Sequence, residues 1–496
     1  MRATAAAPLE RLLQGTGARI RGNPSVPIES LVTDSRAARP GAAFFCLRGA
    51  RADGHVFAQD AIARGAVAVV ADQPIDVTAA TALAVVDDVL AALSPAAATL
   101  YDHPSRSLTC VGVTGTNGKT TTVTLVDSIA RAAGRRFGRI GTLGAFVNGA
   151  PFEELRNTTP FAHDLQQLLA RMRDETAQGV ALEVSSHALK LHRVDDVEFD
   201  VVAHTNLTQD HLDFHPTFED YRDAKRSLIL GPWPRSTKAA PTAILNADDD
   251  EGRALARLRP GALTFGIENP SALFNATDVR LESDRSSFAV KALRPSPFTV
   301  RLPGPFNVSN ALAALAIGSA LDLDVEAMAE GLEAVDRVPG RMIALTGGDI
   351  TVYVDYAHTP DGMEKVLRAA RAVTKGKLHC VFGCGGDRDR SKRPIMGRIA
   401  QQLSDHVIVT NDNPRHEDPA AILAEIVAGM SDRAGYEVIA DRTRAIESAI
   451  AESRPGDVVV LAGKGHERYQ LVREERIPFS DEEVARAALA RRAACR

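Results

Sequence analysis

One stretch limits the fold more than any other: residues 108–123, LTCVGVTGTNGKTTTV, where an apolar run passes into a glycine loop and then into helical sequence. A strand, a glycine loop and a helix in that order aim backbone N–H groups and a helix N-terminus at one spot, which suits an anion. Gly115 and Gly118 let the backbone come close, Lys119 can bridge terminal phosphates, and the Thr120 hydroxyl can ligate magnesium. The spacing is unusual, because Val113 stands where a phosphate loop commonly has a glycine five places before the Gly-Lys pair. On a bland reading Lys119 is a solvated charge on a turn. The strand before it and the helix after it favour a nucleotide, ATP and GTP alike.

The same unit demands a largely parallel sheet, so an α/β fold is expected. At 496 residues there is room for about three domains. Further strands are predicted at GVALEVSS, FDVVAHTNL and TAILNAD, with helical segments between several of them. Residues 1–107 form a first domain that closes at the turn-rich YDHPSRS, and residues 108–337 a second. Residues 338–496 form a third, from the break at Pro339-Gly340. The third holds five short apolar runs (TVYVDYAH, LHCVFGCGG, HVIVTND, YEVIAD, DVVVLAGKG), each ending in glycines or polar residues. Ligands of open parallel sheets sit beyond such strand ends. After DYAH, Thr359 can cap a helix with Pro360 at its first position, and Met363, Val366, Leu367 and Ala370 supply its apolar stripe. The Arg/Ala-rich tail is expected to fray.

Composition removes several function classes. Apolar content of 45% and charged content of 24% are ordinary for a globular chain, and a net charge of -5 gives no footprint for nucleic acid or an anionic membrane. The cysteines, Cys46, Cys110, Cys380, Cys384 and Cys495, are scattered and unpaired, which points to a reducing compartment and away from disulfides or zinc. No run is long enough to span a membrane, and Glu10 and Arg11 interrupt any signal-peptide core, so a cytoplasmic chain is expected.

The word TGTNGKTT resembles the ATP loop of the Mur ligases and their relative folylpolyglutamate synthase, which join a carboxylate to an amine at the expense of ATP. The resemblance continues through NTTP (157–160), EVSSHAL (183–189), TNLTQDHLDFH (205–215), DAK (223–225), GPFNVSNALAA (304–314), DYAHTPD (355–361), GCGGDRDRSKRP (383–394), DNPRHEDP (412–419) and AGKGHE (462–467). The missing glycine is this family's habit. The resemblance implies three domains, with a central P-loop parallel-sheet ATPase domain and a Rossmann-like C-terminal domain.

It also implies roles. The substrate carboxylate attacks the ATP γ-phosphate, and an amine then displaces phosphate from the acyl-phosphate. Both steps gather negative charge, so cations and oriented dipoles should carry catalysis. Lys119, Glu183, His211 and Lys225 match the catalytic set, and Thr120, Glu183, His211 and Lys225, the last as a carbamate formed with carbon dioxide, match the magnesium ligands. By itself YRDAKRSL reads as an amphipathic helix with a solvated lysine, Glu183 as a cap or ion-pair residue, and His211 as a loop histidine. Gly115, Thr116, Asn117, Gly118, Lys119, Thr120, Thr121, Asn307, Asn310, Arg341, Asp355 and His358 match the ATP contacts, although an arginine after a Pro-Gly turn is commonly exposed.

In the first domain Thr33, Ser35, Ala50, Arg51 and Ala52 match positions that hold the uridine diphosphate end of the UDP-N-acetylmuramoyl-L-alanyl-D-glutamate substrate, Arg51 being untypical there. Asn157, Thr158, Thr159, Ser185 and Arg193 match its muramyl-peptide contacts, and Leu191 replaces a glutamine of some relatives. Alone, NTTP reads as a polar turn and Arg193 as a surface charge. Arg388, Asp412, Asn413, Pro414, Arg415, Gly463 and Glu467 match the amine site. meso-Diaminopimelate differs from lysine by a second carboxylate, for which a forked guanidinium is the natural partner. DNPR is the signature of the diaminopimelate-adding members, and Glu467 could pair with the distal ammonium. A monomer that binds neither nucleic acid nor membrane is expected. The rivals are the lysine-adding and dipeptide-adding sister ligases, folylpolyglutamate synthase, and a silent nucleotide-binding scaffold.

Overall fold

A computed structural model describes residues 6–49, 52–231, 233, 236–347, 349–431 and 435–494. Among these, three sheets carry the chain. The first has five strands in the order Arg19–Arg21, Ala82–Val85, Ala68–Ala71, Ala42–Phe45 and Ser30–Val32. All pairs are parallel except the first. Its core is built from alanine and valine strands under the helix Val89–Leu100, and it extends to Ala162 and Ala170 of the helix Ala162–Asp174, which joins it to the next unit.

The middle sheet has nine strands: Ala150–Glu153, Gly144–Val147, Phe137–Gly141, Gly179–Glu183, Thr109–Thr114, Val201–His204, Thr242–Asn246, Leu263–Gly266 and Phe274–Asn275. The two edge strands before Phe137–Gly141 are antiparallel hairpin arms, and the remainder pair in parallel. Thr109–Thr114 is flanked by Gly179–Glu183 on one side and Val201–His204 on the other. The chain builds one flank first and then crosses to the other. The crevice at that reversal is where an open α/β sheet takes a ligand. A three-stranded antiparallel sheet over Thr277–Leu281, Ser286–Val290 and Arg294–Val300 packs its Phe288 and Phe298 into the same core as the buried helix Pro305–Ala320.

The third sheet has six strands in the order Ile343–Gly347, Ile350–Asp355, Val458–Ala462, Leu378–Phe382, His406–Val409 and Tyr436–Val438, parallel after the first pair. The five apolar runs of the third region are all strands of this sheet. The helix Pro360–Val373 starts as its sequence dictates: the Thr359 side chain accepts from the Gly362 N–H at 3.1 Å, and Met363, Val366, Leu367 and Ala370 are buried.

The tail departs from expectation. Asp481–Ala494 is an ordered helix rather than a frayed end. Ala485, Ala488 and Leu489 enter the core, and a fully buried Arg442–Asp481 ion pair at 2.7 Å pins its first turn to the start of the helix Arg442–Glu452. Short alanine side chains permit that close packing, which composition alone reads as weak hydrophobicity. Among the described residues no helix is long and apolar enough to cross a membrane. Cys46, Cys110, Cys380 and Cys384 are buried and free, with burial pushing each thiol up to about 12.

Candidate active site

The glycine loop is a tight cradle. A Cβ on Gly115 (φ +142°) would lie 1.9 Å from Thr205 Oγ1, and one on Gly118 (φ +89°) 2.4 Å from Asn310 Oδ1. Glycine is therefore needed for space as well as for backbone conformation. Two residues of the TNL word hold the loop from the neighbouring strand. Thr205 Oγ1 donates to the Asn117 carbonyl at 2.6 Å, and Asn206 Oδ1 accepts from the Asn117 N–H at 3.0 Å. Thr116 Oγ1 lies 2.9 Å from the Tyr221 hydroxyl, and Thr121 is buried in the first turn of the helix Lys119–Ala132.

Two lysines converge on this loop. Lys119 Nζ donates to the Gly115 and Thr116 carbonyls, each at 2.9 Å, and Lys225 Nζ to the same Gly115 carbonyl at 2.7 Å. Lys225 is buried against the Tyr221 ring, so the solvated-lysine reading of its helix fails. Burial lowers the pKa of both lysines, and Lys119 adds to the depression at Lys225. Two lysines on one carbonyl, Lys225 buried and Lys119 half-buried, form a site short of negative charge, which fits terminal phosphates.

Glu183 ends its strand and faces the cradle. Its Oε2 accepts from Thr120 Oγ1 at 3.0 Å, and its Oε1 from the Thr142 N–H at 2.9 Å. A hydroxyl and a carboxylate this close are the hard oxygen donors magnesium takes. His211, at φ +55°, packs edge-on to His187 with ring centroids 4.8 Å apart. Burial holds its pKa low, with His187, Lys119 and Lys225 contributing, so the ring is neutral and able to donate a lone pair. Thr120 and Glu183 thus stand as one bonded pair, with His211 apart from them against His187 and Tyr221. No group of three acidic, histidine or cysteine side chains is placed to hold a metal among the described residues.

Beside Glu183, Thr159 Oγ1 donates to the Glu183 carbonyl at 2.7 Å and accepts from the Ser185 N–H at 3.2 Å. Ser185 caps the helix Ser186–Lys190 through the Ala188 N–H, and Leu191 ends that helix half-buried. Arg193 is no surface charge. It is 8% exposed, donates to the Thr159 carbonyl at 2.8 Å, and has its guanidinium 4.1 Å from the Phe161 ring centre. Burial lowers its pKa to about 10. Thr158 bonds Thr142 at 3.1 Å, and Asn157 is exposed at the rim. In the first unit Ser35 is buried and Thr33 half-buried. Asp34 between them is held below the usual carboxylate range by its hydrogen bonds from Arg36, with the charge of Arg156 adding a little. Ala52 is exposed and its carbonyl accepts from the Gly49 N–H, whereas Ala50 and Arg51 lie outside the described residues.

A cavity of about 430 Å³ opens from the cradle between the middle and third units. Asn117, Gly118, Thr121, Asn310, Arg341, Asp355 and His358 all line it. Arg341 Nη2 donates to Thr120 Oγ1 at 3.1 Å, so this arginine reaches the cradle rather than solvent. Asp355 accepts from the Met342 and Ala357 N–H groups, both at 2.7 Å, and burial raises its pKa to about 6. Asn307 lies behind, donating to the Pro303 carbonyl at 2.8 Å and accepting from Asn310 at 3.2 Å. Asp361 accepts from Asn117 Nδ2 at 2.7 Å and from Lys365 at 2.8 Å, a second bridge between the units. A neighbouring cavity of about 480 Å³ backs onto Arg341, but its other arginines serve acids such as Asp284 and Glu482, and it holds none of the cradle residues.

The strand ends of the third sheet gather one further cluster of side chains. Arg415, at φ +52°, donates from Nη1 to the Gly386 carbonyl at 2.6 Å. Asn413 Nδ2 donates to Glu467 Oε2 at 2.8 Å, and Gly463 lies where a Cβ would be 2.6 Å from Asp412 Oδ2. Pro414 is buried between them and Arg388 is exposed at the edge. Lys464, which sequence reading passed over, is fully buried and donates to Asn413 Oδ1 at 2.9 Å and Glu467 Oε2 at 3.0 Å. Thr205, Asn206, Tyr221, Asp361 and Lys464 were the residues missed. All sit inside words already quoted, Tyr221 at the start of YRDAKRSL, so their neighbours were the available signal.

Comparison with known proteins gives one consistent answer. The description "Mur ligase middle domain" matches residues 113–318, "Mur ligase, glutamate ligase domain" residues 340–465, and "Mur ligase family, catalytic domain" residues 27–107. A UDP-N-acetylmuramoyl-L-alanyl-D-glutamate--2,6-diaminopimelate ligase of Gloeobacter violaceus is 45% identical over 487 residues, covering 98% of each chain. The enzyme of the same name from Synechococcus elongatus is 45% identical, covering 94% of each chain. A solved structure of an enzyme of that name superposes with a TM-score of 0.66 at 31% identity, over 95% of this chain and 96% of that one. A Mycobacterium tuberculosis folylpolyglutamate synthase, at 19% identity, a TM-score of 0.61 and coverage of 82% of this chain and 95% of its own, shares the fold.

Proposed function

The chain belongs to the Mur ligase family, and from that premise we propose that it joins meso-2,6-diaminopimelate to UDP-N-acetylmuramoyl-L-alanyl-D-glutamate at the expense of ATP. The product is a peptidoglycan precursor, and the reaction belongs in the cytoplasm, where ATP is made and the four buried thiols stay reduced. The carrying observation is the pairing of two sites on one chain. A cation-rich cradle faces the nucleotide cavity, and the strand ends of the third sheet gather Arg415 and Glu467, a guanidinium and a carboxylate whose charges suit the carboxylate and ammonium of the amine.

Residues 1–107 take the uridine diphosphate end, 108–337 the ATP and muramyl peptide, and 338–496 the amine. A carboxylate oxygen of the dipeptide attacks the γ-phosphorus, the bond to the β-bridging oxygen breaks, and ADP leaves. The neutral amine then attacks the acyl carbon, phosphate departs with the former carboxylate oxygen, and the amine loses a proton. Lys119 and the loop N–H groups neutralise charge as it moves on to the phosphates. Arg193, held by Thr159 and Phe161, anchors the peptide carboxylates. Arg341 and Asp355, carried by the third unit, complete the nucleotide site on closure.

Thr120, Glu183 and His211 are the residues that would hold magnesium, with Lys225 as the fourth ligand once it carries a carbamate. The ion supplies charge neutralisation at the phosphate oxygens. Carbamylation of Lys225 (ammonium plus carbon dioxide, two protons released) would replace one of the two cations crowding the Gly115 carbonyl by an anion. All these residues come from one chain, so a monomer suffices.

Oxygen-18 in the dipeptide carboxylate tests the chemistry. Label appearing in inorganic phosphate supports the acyl-phosphate. Label retained wholly in the peptide rules that intermediate out.

A further inference from the structure

Arg415 is gripped from two sides. Its N–H donates to the Leu471 carbonyl at 2.9 Å and its carbonyl accepts from the Arg473 N–H at 2.7 Å, which zips its backbone to the hairpin Tyr469–Val472 and Glu475–Pro478. Its guanidinium donates to the Gly386 carbonyl at 2.6 Å on the loop after the strand Leu378–Phe382. The left-handed backbone at φ +52° is one a non-glycine residue keeps only when its surroundings enforce it.

The next residue bridges the same two segments. His416 Nδ1 lies 2.8 Å from Asp387 Oδ2, and Nε2 lies 3.1 Å from Glu474 Oε1. Asp387 follows Gly386 in the chain, and Glu474 follows Arg473. One ring therefore ties together the two segments that fix Arg415.

We infer that His416 is a pH-sensitive positioning residue whose imidazolium clamps Arg415 in the amine site, a role that stands on the assignment of diaminopimelate to this site.

Only the doubly protonated ring donates from both nitrogens, whereas the neutral ring turns a lone pair toward one of the two carboxylates. The groups facing the ring are Asp387 and Glu474, and their hydrogen bonds raise its pKa above the ordinary 6.5. Arg415, from the same segment, adds its charge at Asp387. The Asp387 side of the clamp is anchored below, because its N–H donates to Glu417, which the fully buried Arg393 holds at 2.8 Å. A raised value means the clamp is complete below about pH 6.5 and opens as pH rises through the folded value. With the ring 46% exposed and Glu474 81% exposed, solvent screening limits the effect to about fivefold.

The test uses the full chain at saturating ATP and UDP-dipeptide, with meso-diaminopimelate varied from about pH 6 to about pH 9, a window holding the ordinary histidine titration. The wild-type KM for diaminopimelate, divided by that of His416→Ala at the same pH to cancel the titration of the substrate amine, is expected to rise roughly three- to fivefold towards one as pH increases. The exposed Glu474→Gln, treated the same way, should shift that rise to lower pH. A wild-type to His416→Ala ratio that stays constant with pH overturns the inference. Absence of any turnover with diaminopimelate in the wild type overturns the functional assignment itself, and the clamp with it.

Discussion

In the proposed reaction the single side chain of Arg415 is what distinguishes meso-diaminopimelate from lysine, two amines that differ only by the second carboxylate. A charge-assisted hydrogen bond is worth about 1.5–3 kcal/mol, so Arg415→Ala should raise the KM for diaminopimelate by roughly 10- to 100-fold. The KM for ATP should stay where it is, since the cradle lies in another unit, and equal losses in both would mark Arg415 as a folding residue. Arg415, Asn413 and Glu467 were picked out in the sequence because DNPR and AGKGHE resemble family words, and the structure brings Asn413 and Glu467 into contact beside Arg415. Lys464 was not. Its burial exists only once the strand ends at Val409 and Ala462 bring Asp412, Asn413 and Glu467 around it. Lys225 and Arg193 read as solvated charges for the same reason, since nothing local announces the Tyr221 and Phe161 rings that cover them.

Elements were easier to read than their docking. Thr359 capping the helix Pro360–Val373, and the apolar runs forming the third sheet, follow from local pattern. The final helix Asp481–Ala494 did not follow, because its anchor is a buried ion pair between residues 39 apart in the chain. Removing one partner of such a pair leaves an uncompensated buried charge, so Arg442→Met should destabilise the third unit by about 3–5 kcal/mol. The double variant Arg442→Met/Asp481→Leu should recover most of that loss, read as the denaturant midpoint. If single and double variants fall together, the helix is held by its alanine packing and the ion pair is incidental.

Across the whole molecule, the proposed reaction needs the third unit against the middle one, and Arg341 on Thr120, Asp361 on Asn117 and Tyr353 on the Ser283 carbonyl are among the contacts that join them. Asp355 sits at this junction and gives it a pH dependence. Its pKa is raised by burial to about 6, so the folded chain holds this proton more tightly than the unfolded one. The stability it contributes is therefore full below about pH 3.8 and lost as pH rises through about 6. Asp355→Asn should flatten that part of the Tm–pH curve while raising the KM for ATP at neutral pH. An unchanged Tm–pH curve in the variant would assign the slope to other groups. How the units meet was not legible, since closure depends on contacts between residues more than 200 positions apart, such as Thr120 and Arg341. The most direct measurement is phosphate release from ATP and magnesium with the UDP-muramoyl-dipeptide, offering meso-diaminopimelate and L-lysine separately. Turnover with diaminopimelate alone, with the tripeptide product seen by mass, is the expected result, and turnover with lysine alone would contradict the arginine-selected ligase described here.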